Sequence, residues 1–184
     1  MRRFTLLAPA ASLVAAQAPA PAFAVDYLTP EQAQKAIFPE ADAFEPQTVP
    51  LTPAERTALA ARLSAPVPEA VPLRIARRGG AALGVVVVDD VIGKFERITY
   101  AVGIGADGAV RQVEVLSYRE SHGQEIRLPA WRRQFVGKTA ASPLRVGEDI
   151  ASISGATLSC AHVTEGVRRL VATVDALRRG GRLP

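Results

Sequence analysis

Four stretches, residues 73–77, 82–88, 97–103 and 109–117, are rich in Val, Ile and Tyr, with Gly79-Gly80, Asp89-Asp90 and Asp107-Gly108 between them. Runs of β-branched and aromatic residues bounded by such turn residues read as strands. Connections this short predict antiparallel neighbours, because a parallel pair needs a crossover of a dozen or more residues. Val85-Val86-Val87-Val88 is apolar at every position, as a central strand requires, whereas Val110, Val113 and Val115 interleaved with Arg111, Gln112 and Glu114 predict one solvated face. A long helix follows: Val163, Val167, Leu170, Val171, Val174 and Leu177 fall at helical spacing, with Arg168, Arg169, Arg178 and Arg179 largely opposite. Its apolar stripe must be buried against the sheet, so the predicted class is α+β: an antiparallel sheet packed by a long C-terminal helix, with short helices before it.

Those short helices are announced by caps. Thr29-Pro30-Glu31-Gln32 and Thr52-Pro53-Ala54-Glu55 each place a hydroxyl before proline and an amide or carboxylate three residues on, the pattern of a capping box. The second helix runs to about Ala65 and gives way to a stiff connector at Pro66, Pro68 and Pro72. Residues 25–72 are therefore expected to form a helical, Pro-rich segment and residues 73–184 the main domain. A polar loop covers Tyr118 to Glu125, and a brief helix at Pro129 to Phe135 carries the only tryptophan, Trp131.

Residues 1–24 combine Arg2 and Arg3, a Leu/Ala/Val run and Ala22-Phe23-Ala24, the three-part pattern of a signal peptide. The run is shorter than the about 20 apolar residues of a membrane span. A periplasmic or otherwise extracytoplasmic protein without a membrane span is the expectation. Loss of Arg2 and Arg3 with the leader lowers the formal charge from +4 to +2, which is too balanced for a nucleic-acid binder. The high pI of 9.7 reflects 19 Arg against three Lys and guanidinium's very high pKa. The single cysteine, Cys160, excludes an internal disulfide and a Cys-type metal site.

Two tempting motifs fail on context. Gly103-Ile104-Gly105-Ala106-Asp107-Gly108 has the letters of a dinucleotide fingerprint, but a strand follows it where that motif needs a helix. A hairpin is the better reading. Ser154, Ser159, His122, His162 and Asp149 would supply a hydrolytic triad on paper, yet Ser154 lacks the glycine two residues earlier that a nucleophile elbow requires. Ser154-Gly155-Ala156-Thr157-Leu158-Ser159, at the mouth of the long helix, is more informative. Small residues permit close approach, and the helix start offers unpaired amides and a favourable dipole for an anion. A plain cap by Ser154 or Thr157 explains the same residues about equally well.

Ser154-Gly155-Ala156-Thr157 with the helix behind it resembles the flavinylation motif of the FMN-binding domain family. Members of that family include FMN-carrying subunits of sodium-translocating NADH:quinone reductases and head domains of nitrous-oxide regulators. The resemblance extends to Tyr118-Arg119-Glu120-Ser121-His122-Gly123 and to Trp131 and Gln134-Phe135-Val136-Gly137-Lys138, covering about residues 83 to 178. It implies an electron carrier with no catalytic residues and no metal. Its FMN would be joined through the phosphate to Thr157 by an FAD:protein FMN transferase that uses Mg²⁺. The implied cofactor-binding residues are Thr157, Ser154, Gly155, Ala156, Leu158, Ser159, Tyr118, Glu120, Ser121, His122, Gly123 and Trp131, with a membrane redox protein or cytochrome as partner. Trp131 would stack on the flavin or seal the core. One departure stands out: the family often has an aspartate six residues before the threonine, where this chain has Ala151, with Asp149 nearby. That departure is what favours the alternative, a flavin-free secreted binding module on the same scaffold.

Overall fold

The computed structural model describes residues 25–63 and 65–184. The signal-peptide expectation for residues 1–24 lies outside them. In chain order the elements are β1 (Val25–Asp26), α1 (Pro30–Ile37), β2 (Ala43–Pro50), α2 (Pro53–Leu63), β3 (Ala70–Arg78), β4 (Ala81–Ile92), β5 (Arg97–Gly105), β6 (Val110–Tyr118), α3 (Pro129–Arg132) and α4 (Thr157–Arg179). Short 3₁₀ turns at Gln124–Arg127 and Arg133–Phe135 flank α3.

The six strands form one antiparallel sheet in the order β1-β6-β5-β4-β3-β2. Helices α2 and α4 cover one face, where Leu59, Leu63, Val167, Val171, Val174 and Leu177 meet strand residues such as Val85, Val87, Val102 and Ile104. On the other face α1 packs Ala33, Ile37 and Phe38 over Val86, Ala101 and Leu116. The two cores explain why Val85 to Val88 is apolar without alternation: each valine has a layer to face. The predicted α+β architecture is thus observed, and both capping boxes form. Gln32 N–H donates to Thr29 Oγ1 at 3.2 Å while Thr29 N–H donates to Gln32 Oε1 at 2.8 Å. Thr52 and Glu55 repeat the exchange at 2.7 and 3.2 Å.

Three local expectations need correction. Strand β2 lies in the segment read as helical and Pro-rich, and Pro46 and Pro50 are tolerated there because β2 is an edge strand paired only with β3. Asp89-Asp90 is not a turn: β4 continues through it to Ile92, paired with Arg97 of β5. Each acid has partners that make a strand position tolerable. Asp89 accepts from Tyr100 Oη and from Arg169, both at 2.6 Å, and Asp90 accepts from Thr99 Oγ1 at 2.6 Å and Arg97 at 3.1 Å. Finally, β6 is buried on both faces from Val113 onward, since Leu116 lies under α1 and Glu114 is paired with Arg132.

The expected hairpin at residues 103–108 is present. Gly105 N–H donates to Ala109 O at 2.8 Å and β6 follows directly.

Candidate functional site

The mouth of α4 meets two loops at one end of the sheet. The first is the polar loop after β6; the second is the turn Gly93–Glu96 between β4 and β5, closed by Gly93 N–H donating to Glu96 O at 2.8 Å. Between them lies a cavity of about 440 Å³, inside the about 300–1,000 Å³ range of cofactor and small-ligand sites. From α4 and its approach it is lined by Gly155, Ala156, Thr157, Leu158 and Ser159. Glu120, Ser121 and His122 line it from the polar loop, and Lys94 and Phe95 from the turn.

Thr157 is the first residue of α4, and its side chain is exposed. The residue before it, Ala156, is the N-cap and offers no side-chain hydrogen bond. The plain-cap reading of Ser154 and Thr157 is therefore not what the structure shows. The first-turn amides, which have no partner within a helix, are left without a capping side chain, and the dipole there favours a negative group. Gly155 precedes at φ +83, a conformation L side chains rarely adopt, which turns the chain into the helix.

A second relation fixes the loop to the helix. Gly123 sits at φ +89, and a Cβ on it would lie 2.6 Å from both Ala156 Cβ and Tyr118 Oη. The loop can lie this close only because the residue is glycine. Buried Tyr118 donates its hydroxyl proton to His122 O, so the 3.1 Å contact with Ser159 is made by the serine hydroxyl donating to Tyr118 Oη. Burial pushes the Tyr118 phenol up. Glu120 Oε1 accepts from Phe95 N–H at 2.6 Å and Glu96 N–H at 3.0 Å. Burial opposes its ionisation, but the amides of Glu96, Phe95 and Lys94 and the Lys94 charge outweigh it and hold the carboxyl below its ordinary value.

Of the twelve residues implied as cofactor-binding, eight line the cavity: Thr157, Gly155, Ala156, Leu158, Ser159, Glu120, Ser121 and His122. Tyr118 and Gly123 shape it from behind. Ser154 is exposed just outside the lining. Trp131 does not reach it: the indole is buried, donates Nε1–H to Ala151 O at 2.8 Å and packs edge-on against Phe135 at 5.0 Å. Of its two expected roles it takes the second and seals the core. Asp149 does not stand in for the missing aspartate at position 151. Its carboxylate accepts from Arg145 N–H at 2.9 Å and pairs with Lys138 at 2.9 Å. Lys94 and Phe95 escape sequence reasoning, because a turn so far upstream of α4 in the chain gives no local sign that it folds over that helix. No group of three or more His, Cys, Asp or Glu that could hold a metal ion occurs among the described residues. Nor is any helix there long and apolar enough to cross a membrane.

The chain is thus an α+β sheet with a core on each face and an uncapped helix start opening onto a cofactor-sized cavity, and residues 93–172 match the family model of the FMN-binding domain. That stretch of the chain is similar to the family's domain, which is consistent with a flavin-binding electron carrier. In fold it is similar to one of the subunits of the Na(+)-translocating NADH-quinone reductase from Parabacteroides distasonis, with a TM-score of 0.51, 15% identity and coverage of 82% of this chain and 84% of that one. No curated protein matches the sequence.

Proposed function

We propose that the protein is an exported electron carrier whose FMN is joined through its phosphate to Thr157. The observation that carries this reading is the exposed Thr157 side chain at an uncapped helix start, beside a cavity of about 440 Å³. The residues fit the group. First-turn amides and the helix dipole suit a phosphate ester, Leu158 offers apolar contact, and Glu120, Ser121 and His122 offer polar groups along the edge. Bound there, a flavin would supply reversible electron transfer; the chain's part is to hold and orient it and to set the charge around it.

Attachment would be made by an FAD:protein FMN transferase with Mg²⁺. The Thr157 hydroxyl displaces AMP from the FMN phosphate of FAD, so a P–O bond to AMP breaks, one to Thr157 Oγ1 forms, and the hydroxyl proton is released. Outside the cytoplasm a covalent bond prevents loss of the nucleotide by dilution. A membrane redox protein or cytochrome is the expected electron partner.

Co-expression with the transferase and FAD supply, followed by intact mass under denaturing conditions, tests the reading. The expected result is a yellow protein carrying one FMN, and an unmodified but folded Thr157→Ala variant. A colourless protein without added mass would favour the flavin-free binding module.

A further inference from the structure

We infer that the Gly93–Glu96 turn is the outer wall of the flavin site, with the Phe95 ring shielding the isoalloxazine and the Lys94 ammonium favouring its reduced form; this rests on the reading of Thr157 above. Phe95 is 75% exposed, the highest value among the exposed large hydrophobic residues described. A phenyl ring held in water forfeits the burial it would gain against a flat apolar partner. It lines the same cavity as exposed Leu158 of α4, so the site offers apolar groups from two separate elements.

The turn is held in place. Its Phe95 and Glu96 amides donate to Glu120. On the other side His162 Nδ1 lies 2.6 Å from Ile92 O and 3.1 Å from Gly93 O. Both partners are carbonyl oxygens, so Nδ1 carries the proton and donates. Packing is also tight against the turn, since a Cβ on Gly93 would come within 2.6 Å of Glu120 Oε1. A carboxylate from the polar loop and an imidazole from α4 thus clamp an aromatic ring in the open.

Lys94 adds charge. It is the one lysine or arginine that lines the cavity among the described residues, and its Nζ stands 4.9 Å from the Phe95 ring centroid. A flavin gains negative charge on reduction at neutral pH, and a cation beside it stabilises that form.

The test uses protein loaded by the transferase. With adduct mass unchanged, Phe95→Ala should raise iodide quenching of flavin fluorescence about twofold, as expected when a ring largely enclosed in its pocket loses one cover. Phe95→Tyr should keep the wild-type value. Lys94→Gln should shift the midpoint potential negative, and Lys94→Arg should restore it. Normal adduct with unchanged quenching in Phe95→Ala and unchanged potential in Lys94→Gln would overturn this inference alone. Absence of adduct in the wild type would overturn the attachment reading and this one with it.

Discussion

The Tyr118 hydroxyl lies 3.1 Å from Ser159 Oγ and donates to His122 O, so one buried phenol ties the end of β6, the polar loop and the first turn of α4 together. Removing that oxygen strands a buried serine hydroxyl and a carbonyl at once. Tyr118→Phe should cost about 1–3 kcal/mol, read as a lower denaturation midpoint. A variant as stable as the wild type would show that the linkage carries no energy.

Gly123→Ala should be worse. The new methyl meets Ala156 and Tyr118 Oη, and the backbone must keep φ +89. The loss should exceed the about 1–2 kcal/mol of a left-handed alanine alone. Thermal unfolding measures the cost, and flavin incorporation should drop with it because the loop no longer seats beside Thr157.

Acid should destabilise the fold through two clamps. Glu120 and Asp149 both have carboxyls held below their ordinary values of 4.5 and 3.8. For Asp149 burial works the other way, and the Arg145 amide and Lys138 outweigh it. A depressed native pKa contributes stability that is present above the unfolded value and disappears as pH falls through the native one. Unfolding temperature should therefore decline as pH drops below about 4.5, and Asp149→Asn should flatten the lower part of that decline.

Cys160 should be inert in the native state. It is fully buried, and burial pushes its thiol up, only partly offset by hydrogen bonding near Ile153 and Ser152. Alkylation by iodoacetamide at neutral pH should be negligible until denaturant is added. Rapid native labelling would mean that the first turns of α4 open readily.

Much of this architecture is written locally. The valine periodicity of α4 and the strand-like runs between glycine turns each carry their signal within a few residues, and so do the boxes at Thr29 and Thr52. What stays hidden depends on partners distant in the chain. Asp89-Asp90 looks like a turn until Tyr100, Thr99 and Arg169 are seen to satisfy it. Pro46 and Pro50 suggest irregular chain unless β2 is known to be an edge. Within the site, Thr157 and the loop from Glu120 to Gly123 stand out by their resemblance to a family pattern. Lys94 and Phe95 do not, because their turn is brought to the site only by partners distant in the chain, Glu120 of the polar loop and His162 of α4.

The second core has a practical bearing on any attempt to prepare a shorter protein. The family match begins at residue 93, yet the greasy side of the sheet at Val86, Ala101 and Leu116 is roofed by α1. A fragment started at Leu73 would keep that patch but lose α1, present the patch bare and should self-associate. Helix α1 is thus a built-in cover that keeps this sheet from sticking to its own copies.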